Sequence, residues 1–113
     1  MATLSTHVLD TALGKPAAGL EIALFRWDGV ALFVQLNRQA TDDDGRVKGD
    51  RLAPGGLTPG TYQLVFETGP YLKAHHGAAF FPFAPIVFEI TDDTHYHVPL
   101  LLSPYGLSTY RGS

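Results

Sequence analysis

Thr61-Tyr62-Gln63-Leu64-Val65-Phe66-Glu67 decides the fold: Tyr62, Leu64 and Phe66 fall on one side of an extended chain, Thr61, Gln63 and Glu67 on the other. A repeat of two is the signature of a strand with one buried face. The alternation recurs on either side of this stretch. Leu20 to Trp27 groups Leu20, Ile22 and Leu24, while Ala31 to Thr41 sets Leu32, Val34 and Leu36 against Gln35, Asn37 and Gln39. Asp28-Gly29 between them reads as a two-residue hairpin turn. Further strands are expected at Leu4 to Asp10, Pro85 to Thr91, His95 to Ser103 and Gly106 to Tyr110. Turn chemistry separates them at Gly14-Lys15-Pro16, Asp42-Asp43-Asp44-Gly45, Pro54-Gly55-Gly56, Thr58-Pro59-Gly60 and Thr91-Asp92-Asp93. One two-turn helix is expected at Pro70 to His76, stopped by Gly77. Seven or eight short strands without alternating helices predict an all-β antiparallel sandwich.

A chain of 113 residues fits a single domain spanning 1–113. Its net charge of -3 and the lack of any basic run give no footprint for nucleic acid. The absence of cysteine removes disulfides, thiol catalysis and cysteine-bound zinc together. With no secretory leader visible in Met1 to His7, a cytoplasmic location is expected. The longest apolar stretch, Gly77 to Val87, contains two prolines and falls short of the roughly 20 residues that a spanning helix needs, so no membrane partner is expected.

Chemistry concentrates near the end of the chain. In His95 to Ser103, alternation puts Tyr96, Val98, Leu100 and Leu102 on a core face and His95, His97, Pro99, Leu101 and Ser103 on the other. Two imidazoles beside a proline and a leucine make an unusual solvent face, and suggest cover from a partner subunit. His95 and His97 lie about 6.6 Å apart along a strand, close enough to share a metal, but no further ligand is spaced to join them and no metal is expected. His75 and His76 read as a solvated helix end. His7 falls on the face of Ser5 and Leu9, and Arg46 closes the Asp42 to Gly45 turn. No Gly-x-Ser-x-Gly elbow or phosphate loop is present. The last four residues, Tyr110-Arg111-Gly112-Ser113, combine an aromatic, a guanidinium, a hinge and a hydroxyl where a chain ordinarily frays, which suggests that they are held in a site.

Three separated stretches carry a resemblance: Leu4 to Thr11 with Gly14-Lys15-Pro16-Ala17, Thr41 to Arg46, and His95 to Ser113. They resemble the 5-hydroxyisourate hydrolases, the transthyretin-like enzymes of urate breakdown, and the terminal Tyr-Arg-Gly-Ser is the most specific element. Leu107 departs from a frequent tyrosine. The resemblance implies a transthyretin-like sandwich assembled as a homotetramer, with sites in a channel between dimers and no cofactor. It implies that 5-hydroxyisourate is hydrolysed to 2-oxo-4-hydroxy-4-carboxy-5-ureidoimidazoline. It also implies catalytic roles for His7, Arg46, His97 and Ser113, and substrate contacts from His7, Arg46, Tyr110, Arg111 and Gly112, with His95 outside the set. Either His7 or His97 would serve as general base, and Arg46 would stabilise the oxyanion. The rival expectation is a small-molecule carrier on the same sandwich, since fold alone does not confer activity.

Overall fold

The computed structural model describes residues 1–113. Its elements follow in the order β1 (Thr3–Ser5), β2 (Val8–Asp10), β3 (Lys15–Pro16), β4 (Glu21–Trp27), β5 (Phe33–Ala40), β6 (Gly60–Phe66), α1 (Thr68–His76), β7 (Ala84–Ile90), β8 (His95–His97), β9 (Leu100–Ser103) and β10 (Gly106–Thr109). One antiparallel sheet has the order β5-β4-β6-β7. The other has the order β10-β9-β2-β3, and the β1-β8 pair prolongs its middle. Between the sheets lies one cluster of 22 buried residues, including Tyr62, Leu64 and Phe66 of β6 and Leu100 and Leu102 of β9. Each such large side chain contributes about 1.5–3 kcal/mol by leaving water.

The expected strands at Leu4 to Asp10 and His95 to Ser103 are both interrupted, giving β1 with β2 and β8 with β9. The two halves remain in phase. Thr3 aligns with His95 and Val8 with Leu100, the same offset on both sides of the gap, and the two chains run parallel. This is the one parallel pairing in an otherwise antiparallel sandwich. At the gap the Thr6 hydroxyl donates to the Val98 carbonyl at 2.7 Å. On either side of Pro99 the Val98 and Leu100 amides still donate to Ser5 O and His7 O.

Two local expectations change. The Asp28-Gly29 turn is a longer loop: Trp27 pairs with Phe33, and Asp28 Oδ1 accepts the amides of Val30, Ala31 and Leu32. The carboxylate organises a wider turn than the dipeptide alone suggested. In β5 the register slips opposite Leu24 and Phe25, which pair with Asn37 and Gln35 and leave Leu36 without a partner. Past this bulge on the edge strand Asn37 and Gln39 are half-buried and Leu36 is exposed; Leu32 and Val34, before it, are exposed as well.

Helix α1 begins two residues before the expected Pro70 and ends as expected, at a left-handed Gly77 whose N–H donates to Lys73 O. It is tied to the sheet by Asp10, which is fully buried. Asp10 Oδ2 accepts the Tyr71 hydroxyl at 2.8 Å and His76 Nε2 at 2.7 Å, and Oδ1 accepts the Ala12 and Leu13 amides. His76 is therefore a structural ligand of the sheet and not a solvated helix end. His75 is exposed, and its ring stacks on Tyr71 at 4.1 Å.

Burial pushes the Asp10 carboxyl up, but hydrogen bonds from His76, Tyr71 and the Leu13 amide outweigh it and hold the group below the ordinary aspartate value. A depressed carboxyl contributes stability that is present above its unfolded value and lost as pH falls through its folded one. Asp10→Ala should cost about 3 kcal/mol in urea unfolding at pH 7, because it strands His76 and Tyr71. Asp10→Asn should flatten the loss of stability below about pH 4 that the wild type shows.

Candidate active site

Register and alternation together build one polar face on the outside of the β10-β9-β2-β3 sheet. The residues β1 and β2 turn toward the core are Leu4, Thr6, Val8 and Asp10, all buried, so Ser5 and His7 point outward. On β8 the same parity buries Tyr96 and turns His95 and His97 out. Ser5 pairs directly with His97, and the constant offset sets His7 level with Pro99, one step farther along. Strand spacing and rise then put the His7 and His97 Cα atoms about 8 Å apart.

Arg46 reaches this face through the Asp42 turn. Asp42 Oδ1 accepts the Asp44 and Arg46 amides, and the Val8 N–H donates to Gly45 O at 2.8 Å. Gly45 has φ +73, and a Cβ there would sit 2.4 Å from Val8 O, so only glycine lets the turn approach β2 this closely. The result is an antiparallel bridge between His7 and Arg46. The Arg46 side chain is exposed and forms no salt bridge or hydrogen bond within the chain.

The last residues continue β10. Gly106 pairs with Ser103 and Thr109 with Leu100, and the same register carried past Pro99 brings Gly112 opposite His97. The Gly112 N–H donates to His97 O at 2.8 Å. A Cβ on Gly112 would lie 2.5 Å from His97 Cδ2, so the backbone rests directly against the imidazole. Alternation then sends Gly112 to the His97 face and Arg111 to the opposite one. The Arg111 guanidinium lies 4.1 Å from the centre of the Tyr96 ring, and its Nη2 donates to Thr94 Oγ1 at 3.2 Å. The structure thus brings His7, Arg46, His97 and Gly112 to one face, with Ser113 adjoining, and sets the Arg111 head group behind it, whereas the expected substrate contact Tyr110 is not brought against either imidazole. A cavity of about 320 Å³ beside Arg111, lined by Ile86, Phe88, Tyr96, Val98, Thr109 and Tyr110, belongs to that rear side and touches neither imidazole.

His97 is half-buried. Burial first, then the positive charges of Arg46, His95 and His7, pull it below the ordinary imidazole value. It is accordingly a neutral ring at pH 7, able to accept a proton. Its Nδ1 lies 2.7 Å from Ser5 Oγ, which leaves Nε2 as the nitrogen free to face a ligand. His95 does not join it around a metal: Ser5 Oγ stands between the two rings, 2.7 Å from His95 Nε2 as well. Ser5 and Thr3 escaped the sequence reading because an isolated hydroxyl on an outward strand face carries no signal until the partner strand is known.

Residues 4–112 match the model of the HIUase/Transthyretin family. The chain belongs to that family. Among its relatives, 5-hydroxyisourate hydrolase 2 of Rhizobium meliloti is 51% identical over 115 residues, covering 97% of this chain and 95% of its own. The structure of Klebsiella pneumoniae 5-hydroxyisourate hydrolase superposes with a TM-score of 0.87 at 38% identity, over 100% of this chain and 94% of that one. Transthyretin from Sparus aurata gives a TM-score of 0.89 at 24% identity, over 96% and 95% of the two chains, a likeness of fold alone. Both branches of the family therefore share the sandwich, and the polar face has to distinguish them.

Two outcomes test this geometry. Gly112→Ala should free the tail, so that the Gly112-to-His97 amide loses hydrogen-exchange protection while the melting temperature moves by only a few degrees; retained protection would contradict the close approach. Arg46→Ala should raise the NMR titration midpoint of His97, because it removes a repelling cation, and an unchanged midpoint would place the guanidinium elsewhere.

Proposed function

We propose that this protein is a 5-hydroxyisourate hydrolase of urate degradation, acting as a single catalytic domain. The observation that carries the proposal is the meeting of a neutral imidazole, a second imidazole and an unpaired guanidinium beneath the docked tail. A carrier would gain nothing from an Arg46 without a partner or from a histidine tuned to stay neutral. The named relatives at about half identity point the same way, and the likeness to a transthyretin stands on fold alone.

The reaction opens the six-membered ring of an oxidised purine at an amide-like carbonyl. His97 Nε2 takes a proton from water as its oxygen adds to the carbonyl carbon. Arg46 donates to the oxygen that becomes negative, supplying charge where it develops. When the ring C–N bond breaks, the departing nitrogen recovers the proton from His97 and leaves as a ureido group, and the carbonyl carbon becomes a carboxylate. His7 orients substrate or water from the neighbouring strand. Gly112 and Ser113 close over the ring as substrate contacts, and Arg111 holds their segment down through Tyr96.

The site opens on an outer sheet face, which favours the homotetramer with sites between dimers. The sheet edges β7 and β10 are free for pairing, and Phe83 and Val87 are more than half exposed. We place the protein in the cytoplasm, in keeping with a chain without cysteine; no helix is long and apolar enough to cross a membrane.

Freshly made 5-hydroxyisourate should lose its ultraviolet absorbance far faster with the protein than without it. Losing an oxyanion donor is typically worth about 3–4 kcal/mol, so Arg46→Ala should slow turnover by roughly 100- to 1,000-fold. Removing Tyr110 to Ser113 should abolish hydrolysis while the β-rich far-UV spectrum persists. Wild-type decay at the spontaneous rate would overturn the proposal.

A further inference from the structure

The parallel register that pairs Thr3 with His95 and Ser5 with His97 lines up two hydroxyls and two imidazoles in alternation. Thr3 Oγ1 lies 2.6 Å from His95 Nδ1, His95 Nε2 lies 2.7 Å from Ser5 Oγ, and Ser5 Oγ lies 2.7 Å from His97 Nδ1. Four side chains thus form one unbroken chain of hydrogen bonds. It begins at exposed Thr3 and His95 and ends at half-buried His97, whose Nε2 faces the site.

We infer that Thr3, His95 and Ser5 are positioning residues that form a proton wire, fixing which His97 nitrogen carries the proton and exchanging that proton with solvent. Donor counting forces the linkage. A serine hydroxyl has one hydrogen, so Ser5 can donate to only one of the two imidazoles and must accept from the other. If Ser5 donates to His97 Nδ1, His97 is protonated on Nε2, and His95 must donate through its own Nε2. If Ser5 donates to His95 Nε2, His97 donates through Nδ1 and presents a bare Nε2, while His95 holds its proton on Nδ1. The neutral rings must therefore share a tautomer, both Nε2–H or both Nδ1–H. Only the Nδ1–H state offers a base to the site.

The wire also balances. When His97 Nε2 takes a proton from water, its Nδ1 proton passes to Ser5, the Ser5 proton to His95 Nε2, the His95 Nδ1 proton to Thr3 and the Thr3 proton to solvent. Delivery of a proton to the leaving nitrogen, followed by refilling from solvent, runs the same transfers in reverse. No charge is left on Ser5. The titratable and charged groups facing His97 are His95 from its own strand, His7 from the adjacent run and Arg46 from the bridging turn; Ser5 and the Gly112 backbone complete its surroundings.

The kinetic consequence rests on the hydrolase reading, and the tautomer linkage does not. Nitrogen-15 NMR of the histidine-labelled full chain above the imidazole titrations should show His95 and His97 in the same tautomer. In Ser5→Ala the two rings should adopt tautomers independently, and Ser5→Thr, which restores a hydroxyl, should re-couple them. His95→Gln should raise the His97 midpoint by removing a like charge. With 5-hydroxyisourate, Ser5→Ala should lower kcat by about 10- to 100-fold with KM within twofold, and Ser5→Thr should recover most of it. Opposite tautomers in the wild type, or linkage that survives in Ser5→Ala, would overturn the wire. Linked tautomers in a protein that leaves 5-hydroxyisourate untouched would overturn the hydrolase reading and leave the wire standing. A Ser5→Ala variant with uncoupled rings and full kcat would show that the linkage has no part in turnover.

Discussion

The site depends on one constraint, the parallel pairing of the β1-β2 run with the β8-β9 run at a fixed offset. Parallel neighbours keep the same residues level along their whole length, so one register decides that Ser5 meets His97, that Thr3 meets His95 and that His7 falls one step beyond. A slip of a single residue would send every one of these side chains to the opposite face of the sheet. The core guards against that slip, because Leu4, Val8, Tyr96, Leu100 and Leu102 are buried on the other side of the same strands. Hydrophobic burial therefore fixes the polar geometry. The Val98 and Leu100 amides, donating to Ser5 O and His7 O, carry the phase across the gap, and the tail, following β10 past it, arrives with Gly112 against His97.

The electrostatics of the face are one-sided. Two imidazoles and a guanidinium gather around His97, and the turn carboxylate of Asp42 spends its Oδ1 on backbone amides. Such a cluster costs stability on its own, since like charges repel and Arg46 has no ion-pair partner. It becomes productive when an oxygen-rich molecule supplies the missing negative charge. Burial first, and the same repulsion after it, keep His97 neutral. Elsewhere the chain behaves in the opposite way: Asp10 is buried with every oxygen engaged, and His76 serves there as a strut between helix and sheet.

Much of this was legible in the chain. Period-two patterning gave the strand faces of β6 and β8-β9 and the outward placement of His7, because side-chain alternation is a local property. The helix stop at Gly77 was local too. Other features hang on distant partners and were not legible. Asp10 before Thr11-Ala12-Leu13-Gly14 looks like an ordinary turn residue, and its buried role needs Tyr71 and His76 from a helix some sixty residues away. The β5 bulge took Leu36 out of the pattern and set Asn37 and Gln39 opposite Leu24 and Ile22 in its place, since one unpaired residue reverses all later faces. The rear placement of Arg111 follows from alternation only once the tail is known to keep the β10 register, and nothing local announces that beyond Pro99.

The most direct test of a single catalytic face is a titration of the histidine-labelled protein with uric acid, the flat parent purine that lacks the 5-hydroxyl and cannot be opened by this chemistry. The account predicts that the ring signals of His7 and His97 shift together along one binding curve, with His75 and His76 unmoved, and that Arg46→Ala weakens the curve for both rings. Shifts confined to His75 and His76, or His7 and His97 responding with separate affinities, would contradict it.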